Sequence, residues 1–295
     1  MSDFVQQHAV KCIFNSSDSW IILTPIEQSI KSKIEAIGKP LKEWDIQINY
    51  GIKTGYNDAF IISTDKREEI LNNCKDDEER ARTADLIRPI LRGRDIRRYG
   101  YTWADLWLIN THNGVKGRIP RVRIEEYPAL KAHLDEYWDK ISTRADKGET
   151  PYNLRNCAYM EDFSKPKIVW AETMRRHRTS VERFPRFSYD DKGYFLDKTC
   201  FMAITNVADF IVAFLNSYIG EYLCGKYVSI LDNGGYLMQK IYLENIPIPQ
   251  FDNSVVEKIT TLKNTDEEVM ETYLAQMIGF TDDEYAYIKV KVGKL

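Results

Sequence analysis

Trp44-Asp-Ile-Gln-Ile48-Asn-Tyr-Gly51-Ile-Lys-Thr-Gly55-Tyr-Asn-Asp-Ala59-Phe-Ile-Ile-Ser63 is the stretch on which the reading of the fold turns. Trp44, Ile46 and Ile48 alternate with polar residues, the pattern of a strand with one buried face. Residues 51–55, bounded by two glycines, read as a loop, and 59–63 as a second strand. Strand, short loop and strand make a hairpin-like unit. That predicts antiparallel pairing and argues against a doubly wound parallel sheet.

Upstream, residues 26–37 carry apolar side chains at helical spacing after Thr24-Pro25 and stop at Gly38, before Pro40. Downstream, 66–73 and 76–87 read as helices, 105–109 as a buried strand, and 127–145 as the longest middle helix. Beyond Gly148, strand-like runs at 167–172, 183–189 and 194–204 are joined by turns such as Asp190-Asp191-Lys192-Gly193. Residues 208–222 are apolar on several faces, which predicts a helix sunk in the core. The prolines of 241–249 predict an exit from regular structure, and from Ser254 onward the pattern is helical and acidic. The expected fold is mixed α+β: a twisted, mostly antiparallel sheet flanked by helices, with a small helical C-terminal tail.

Composition excludes whole classes. The 295 residues are 43% hydrophobic and 29% charged, with a formal charge of -3, which is neither disordered nor low-complexity. Five scattered cysteines without a C-x-x-C pair argue against a disulfide framework or a zinc knuckle and fit a reducing, cytoplasmic setting. No apolar stretch approaches a membrane span, and the first residues lack the apolar core of a signal peptide. The charge is unevenly spread: 11 basic against 3 acidic residues between Arg80 and Arg123, and 7 acidic without a basic one between Thr265 and Glu284. Such a chain can present a basic face despite its acidic sum.

Few motifs carry chemistry. Gly51-x-x-x-Gly55 lacks the spacing and Lys-Ser/Thr ending of a phosphate loop, and Gly234-Gly235 precedes no clear helix. The four histidines show no metal-ligand spacing, and a G-x-S-x-G elbow is absent. Asp190-x-Lys192 imitates half of a metal-dependent phosphodiesterase site, although Gly193 favours a turn. Arginine among aromatic and loop residues stands out: Arg92-Gly-Arg94-Asp-Ile-Arg97-Arg98-Tyr99, then Lys116, Arg118, Arg121 and Arg123, and a second group, Arg175-Arg176-His177-Arg178, between two predicted strands. A planar guanidinium fork suits phosphate and guanine edges, so the two groups together point to nucleic acid.

Six blocks, in order, resemble the TaqI-like C-terminal specificity domain of adenine-specific type II restriction-modification methyltransferases: Ile48 to Ile62, Ile87-Arg-Pro-Ile-Leu-Arg-Gly-Arg-Asp-Ile96, Tyr152-Asn-Leu-Arg-Asn-Cys-Ala-Tyr159, Lys165-Pro-Lys-Ile-Val169, Ala213-Phe-Leu-Asn-Ser217 and Leu243-Glu-Asn-Ile-Pro-Ile-Pro249. The resemblance implies a double-stranded DNA recognition module over residues 45–250. Residues 1–44 would be a helical lead-in from a methyltransferase core outside this chain, and 251–295 a helical appendage. It also implies a parent enzyme of the single-chain type II (IIG-like) kind, serving phage defence, that uses S-adenosylmethionine, and magnesium if fused to a nuclease. The glycine-rich cofactor turn and the Asn-Pro-Pro-Tyr type motif that would grip a flipped adenine are missing here, so no catalysis and no cofactor are expected of this chain itself. Lys53, Arg92, Arg94 and Lys116 are expected on phosphates; Tyr56, Asn57, Arg175, Arg176 and Arg178 are candidates for base edges. The alternatives are a specificity subunit acting in trans, as in type I systems, a metal-dependent nuclease using Asp190 and Lys192, and a protein-interaction module with an ordinary basic surface.

Overall fold

A computed structural model of the chain describes residues 23–176 and 183–293. Eight strands form two four-stranded sheets: Gln47–Tyr50 (β1), Ile61–Ser63 (β2), Ile87–Leu91 (β3), Leu106–Ile109 (β4), Lys167–Ala171 (β5), Phe187–Asp190 (β6), Phe195–Leu196 (β7) and Cys200–Ile204 (β8). One sheet has the order β6-β5-β8-β1 and the other β7-β3-β4-β2. All neighbours are antiparallel except β7 and β3. The fold is the mixed, mostly antiparallel α+β arrangement expected from the sequence, built on two sheets rather than one.

Side-chain alternation explains why the first sheet sits at the centre. Along β5 and β8, Ile168, Trp170, Phe201 and Ala203 enter one apolar cluster, while Val169, Cys200 and Met202 enter a second. Successive side chains point to opposite faces, so a strand that feeds two cores must be apolar throughout. Lys167 is the exception: fully buried, it donates to Asp190 at 2.5 Å and to the Phe163 carbonyl at 2.6 Å. Helices α1 (Pro25–Ile37), α2 (Ala208–Asn216) and α3 (Tyr218–Tyr227) contribute Ile30, Ile34, Phe210, Phe214 and Ile219 to the first cluster. So do α4 (Asn253–Thr265), α5 (Glu267–Ile278) and α6 (Asp282–Gly293), through Ile259, Met270, Leu274 and Ile288.

Several local expectations are corrected. The strand pair around residues 51–55 is not a hairpin: β1 pairs with β8 and β2 with β4, in different sheets. Asn57–Phe60 is a helical turn, and the Thr54 hydroxyl donates to Asn57 Oδ1 at 2.6 Å beside its start. The predicted helix at 127–145 breaks into Pro128–Asp135 and Trp138–Ile141. That at 208–222 breaks at Ser217, whose hydroxyl caps α3 by accepting from Gly220 N at 3.0 Å. Pro247–Pro249 does not leave regular structure but pairs with Gly38–Pro40. Short edge strands tolerate proline, because the missing N–H falls outside the ladder.

Phe195–Leu196 belongs to one sheet and Cys200–Ile204 to the other, so the chain changes sheet across Asp197, Lys198 and Thr199. Gly51 packs against this seam so closely that a Cβ there would lie 1.9 Å from the Asp197 carbonyl oxygen. Only glycine fits such an approach.

Candidate nucleic-acid interface

The sheets part at the seam and leave a cleft of about 710 Å³. Its walls come from the ends of strands: Arg92 to Arg97 after β3, Glu172 to Arg175 after β5, Arg186 before β6, and Thr199 before β8. Asn57 reaches it from the segment between β1 and β2. The loop after β3 is built from its own arginine. Arg92 closes a bidentate pair on Asp95, at 3.0 and 2.9 Å, and its backbone N–H donates to the same carboxylate. Gly93 N donates to the Thr199 hydroxyl at 2.9 Å, tying the loop to the seam.

Arginines that sit side by side in sequence therefore divide. Arg92 shapes the loop; Asp95 holds its guanidinium above the usual range. Arg94 is exposed and Arg97 half-buried, and Arg97 donates to the Arg94 carbonyl. Arg175 is exposed, and the Arg186 guanidinium donates to its carbonyl at 3.0 Å. Arg94, Arg97 and Arg175 have no carboxylate partner among the described residues. Next to them, burial raises the Asp197 carboxyl above its usual range against the hydrogen bonds of Thr199.

The cleft thus gathers Asn57, Arg92, Arg94 and Arg175 from the residues singled out by sequence, and adds Arg97 and Arg186. Of the other described candidates it gathers none. Lys53 is exposed and Tyr56 half-buried against Tyr137, both outside its lining. Lys116 is exposed in a separate cavity of about 750 Å³ formed by the 113–121 loop with Arg118 and Cys157. Arg176 turns inward, pairs with Glu221 at 3.3 Å and lies over the Phe184 and Tyr236 rings. Arg178 lies outside the described residues.

Sequence reasoning missed what holds the Asn57 segment in place. Arg144 is buried, has no carboxylate hydrogen-bonding to it among the described residues, and donates to four carbonyls: Thr54, Asp146 at 2.9 Å, Pro151 at 3.1 Å and Asn153 at 2.6 Å. Its guanidinium lies 4.3 Å from the Phe60 ring centroid. Burial pushes it down to about 10, with Asp146 opposing. An arginine whose hydrogen bonds all go to backbone leaves no motif in the sequence, because its partners are carbonyls that every residue carries.

The nuclease-like pair is a turn. Asp190 is fully buried and bonds Lys167, the Tyr101 hydroxyl at 3.1 Å and the Lys192 and Tyr194 N–H groups, each at 3.0 Å, while the Lys192 side chain is exposed. Its oxygens are therefore committed to the fold. No group of three or more histidine, cysteine or acidic residues could hold a metal among the described residues. Nor is any described helix long and apolar enough to cross a membrane.

Two solved structures share the fold. The type IIL restriction-modification enzyme MmeI, in complex with DNA, matches with 13% identity and a TM-score of 0.56 over 87% of this chain and 32% of its own. The type IIG restriction endonuclease BpuSI matches with 14% identity and a TM-score of 0.53, over 91% and 32%. The chain spans about a third of the length of these enzymes. The family described as the TaqI-like C-terminal specificity domain matches residues 88–248. The arginine loop after β3, Glu172 to Arg175, Arg186 and the seam all lie inside that match, whereas the block from Ile48 to Ile62 precedes it. More than half of the sequence is covered, and the chain belongs to the TaqI-like C-terminal specificity domain family.

Proposed function

We propose that the chain recognises double-stranded DNA in a sequence-specific way, as the non-catalytic specificity module of a type II adenine-specific methyltransferase in a restriction-modification or phage-defence system. The observation that carries this is the convergence of Arg94, Arg97, Arg175 and Arg186, from three separate stretches of chain, on one cleft that also holds the Asn57 amide. Several forks on rigid strand ends can grip a phosphate backbone and set its register while neighbouring side chains reach base edges. The methyltransferase core would supply S-adenosylmethionine binding and the pocket for the flipped adenine, in the same parent chain. A core in a separate chain, as in type I systems, is the second reading.

Fluorescence anisotropy of the 295-residue chain on a duplex, titrated with salt, tests the proposal. With about four phosphates neutralised, log K should fall with log salt at a slope of roughly -3.6. The chain should show no calorimetric binding of S-adenosylmethionine and no methyl transfer. Association indifferent to salt would overturn the phosphate-driven mode, and cofactor binding would overturn the non-catalytic reading.

A further inference from the structure

The cleft is lined by arginine, yet it holds a carboxylate that takes no part in an ion pair among the described residues. Glu172 lies at the end of β5, half-buried, with Arg94, Arg97, Arg175 and Arg186 lining the same cleft, and no ion pair joins it to Arg94, Arg97 or Arg175 among the described residues. Its backbone is fixed on both sides: its N–H donates to the Thr199 carbonyl at 2.8 Å, and its carbonyl accepts from Met238 N at 2.7 Å. Its side chain is fixed too. The Gln239 amide donates to Oε1 at 2.8 Å, which leaves Oε2 as an oriented acceptor.

For a groove that only holds phosphates, this arrangement is a defect. An anion beside the phosphate track repels the ligand, and at distances of a few Å that repulsion is not removed by salt. A carboxylate becomes useful where the ligand presents a donor. In duplex DNA the donors exposed in the major groove are the exocyclic amino groups, N4 of cytosine and N6 of adenine, and an ionised carboxylate can accept from them but has nothing to give to the keto oxygens of guanine and thymine.

We infer that Glu172 is a specificity-determining residue, held by Gln239 to accept a hydrogen bond from a cytosine or adenine amino group while the surrounding arginines hold the backbone. The inference rests on reading this cleft as the DNA interface, and names one base-reading group within it. Rejection of the wrong base is expected to be worth about 5- to 150-fold in affinity, the range for a single good base contact.

The test is selection of duplexes from a randomised library at low salt by the full chain, as wild type and as E172A, E172R, Q239A and R94A, with thermal unfolding of each protein as a control for folding. Wild type should enrich one position in cytosine or adenine. E172A should lose that enrichment, E172R should replace it by guanine, and Q239A should weaken it at the same position. R94A should retain less DNA of every sequence. E172L is close in volume, carries no acceptor and decides the matter should E172A unfold: loss of the wild-type preference in it supports the inference, and retention of that preference overturns it. Should E172A and E172R keep the wild-type preference at every position while R94A still binds less, the Glu172 assignment is overturned and the cleft remains the interface. Should R94A bind every sequence as wild type does, the cleft reading itself falls.

Discussion

Two sets of arginines, a few residues apart in sequence, do opposite work. At the cleft, Arg94, Arg97 and Arg175 keep their charge without a carboxylate partner among the described residues. Behind it, Arg98, Arg176 and Arg183 are sunk among Glu221, Glu267 and Glu271. Arg98 donates to Glu267 and, at 2.8 Å, to the Asn216 carbonyl; Arg183 stacks 3.7 Å from the Tyr218 ring centroid and reaches Glu271 at 3.2 Å. Glu271 also accepts from the first N–H of α3, through both oxygens. The inner set joins the arginine segment after β3 to the acidic helix α5, so charges that look in the sequence like a binding surface and a separate acidic tail neutralise one another inside the molecule. Basic density alone does not mark an interface; what separates the sets is whether carboxylates from elsewhere in the chain meet them.

The sharpest way to break this contrast is Arg98→Ala. Removing one member of a buried ionic cluster leaves its partners unpaired, and a loss of about 3 kcal/mol is expected, which for a chain of this size lowers the thermal midpoint by roughly 6–12 °C. A midpoint shift under ~2 °C in a calorimetric scan would place Arg98 with the outer set.

The acidity of Glu271 comes next. Burial, opposed by Arg183, Tyr218 N and Arg98, holds its carboxyl up at about 7, against 4.5 for the free group. The folded state then binds an extra proton, so this stability is present below pH 4.5 and is lost as pH rises through about 7. Urea midpoints measured from pH 5 to pH 8 should decline more steeply for wild type than for Glu271→Gln, and parallel profiles would remove Glu271 as the titrating group.

Glu284 behaves the other way. Although burial raises it, the bonds from Lys33, Ser29 and Thr281 N hold it down at about 2. Its contribution is present above pH 4.5 and lost as pH falls toward 2. Glu284→Gln is expected to cost about 1 kcal/mol at pH 7, given partial solvent screening, and to cost nothing near pH 2. An equal loss at both pH values in chemical denaturation would mean that packing, not charge, is what the carboxylate provides.

The smallest effect on stability belongs to the outer set. Arg94→Ala should leave unfolding within about 0.5 kcal/mol of wild type, yet flatten the salt dependence of DNA binding by about 0.9 per lost phosphate contact. A destabilised protein with an unchanged salt slope would make Arg94 one more structural arginine.

What could be read from sequence follows from the range of the interactions. The helix at 25–37 is legible because Thr24 and Glu27 form a local capping box with Pro25 at the first helical position, and the strand at 106–109 because its residues are apolar in a run. The two-sheet arrangement is not legible, since β1 meets β8 and β3 meets β7 across more than 100 residues, and nothing near β1 announces a partner so distant. The cleft is half legible. Arginine composition marks Arg94 and Arg175, but the carboxylates that withdraw Arg98 and Arg176 can be assigned only once the chain is folded. Asn216 shows the same limit: its amide bonds both the N–H and the carbonyl of Phe187 at 2.9 and 2.8 Å, clipping the outer strand of the first sheet, where the sequence reads only as the end of a helix.

The seam from Leu196 to Cys200 limits how this scaffold can evolve. Strand side chains repeat every two residues, so inserting or deleting one residue between β7 and β8 would reverse the facing of Cys200 to Ile204 and exchange the contents of two cores at once. Gly51, lodged against the Asp197 carbonyl, leaves no slack to absorb a change of length. On the proposed function, new targets would be acquired by exchanging single side chains along the rim, at Glu172, Arg94 or Arg175, and not by altering the length of the strand that joins the sheets. Diversity should collect in letters and not in gaps there.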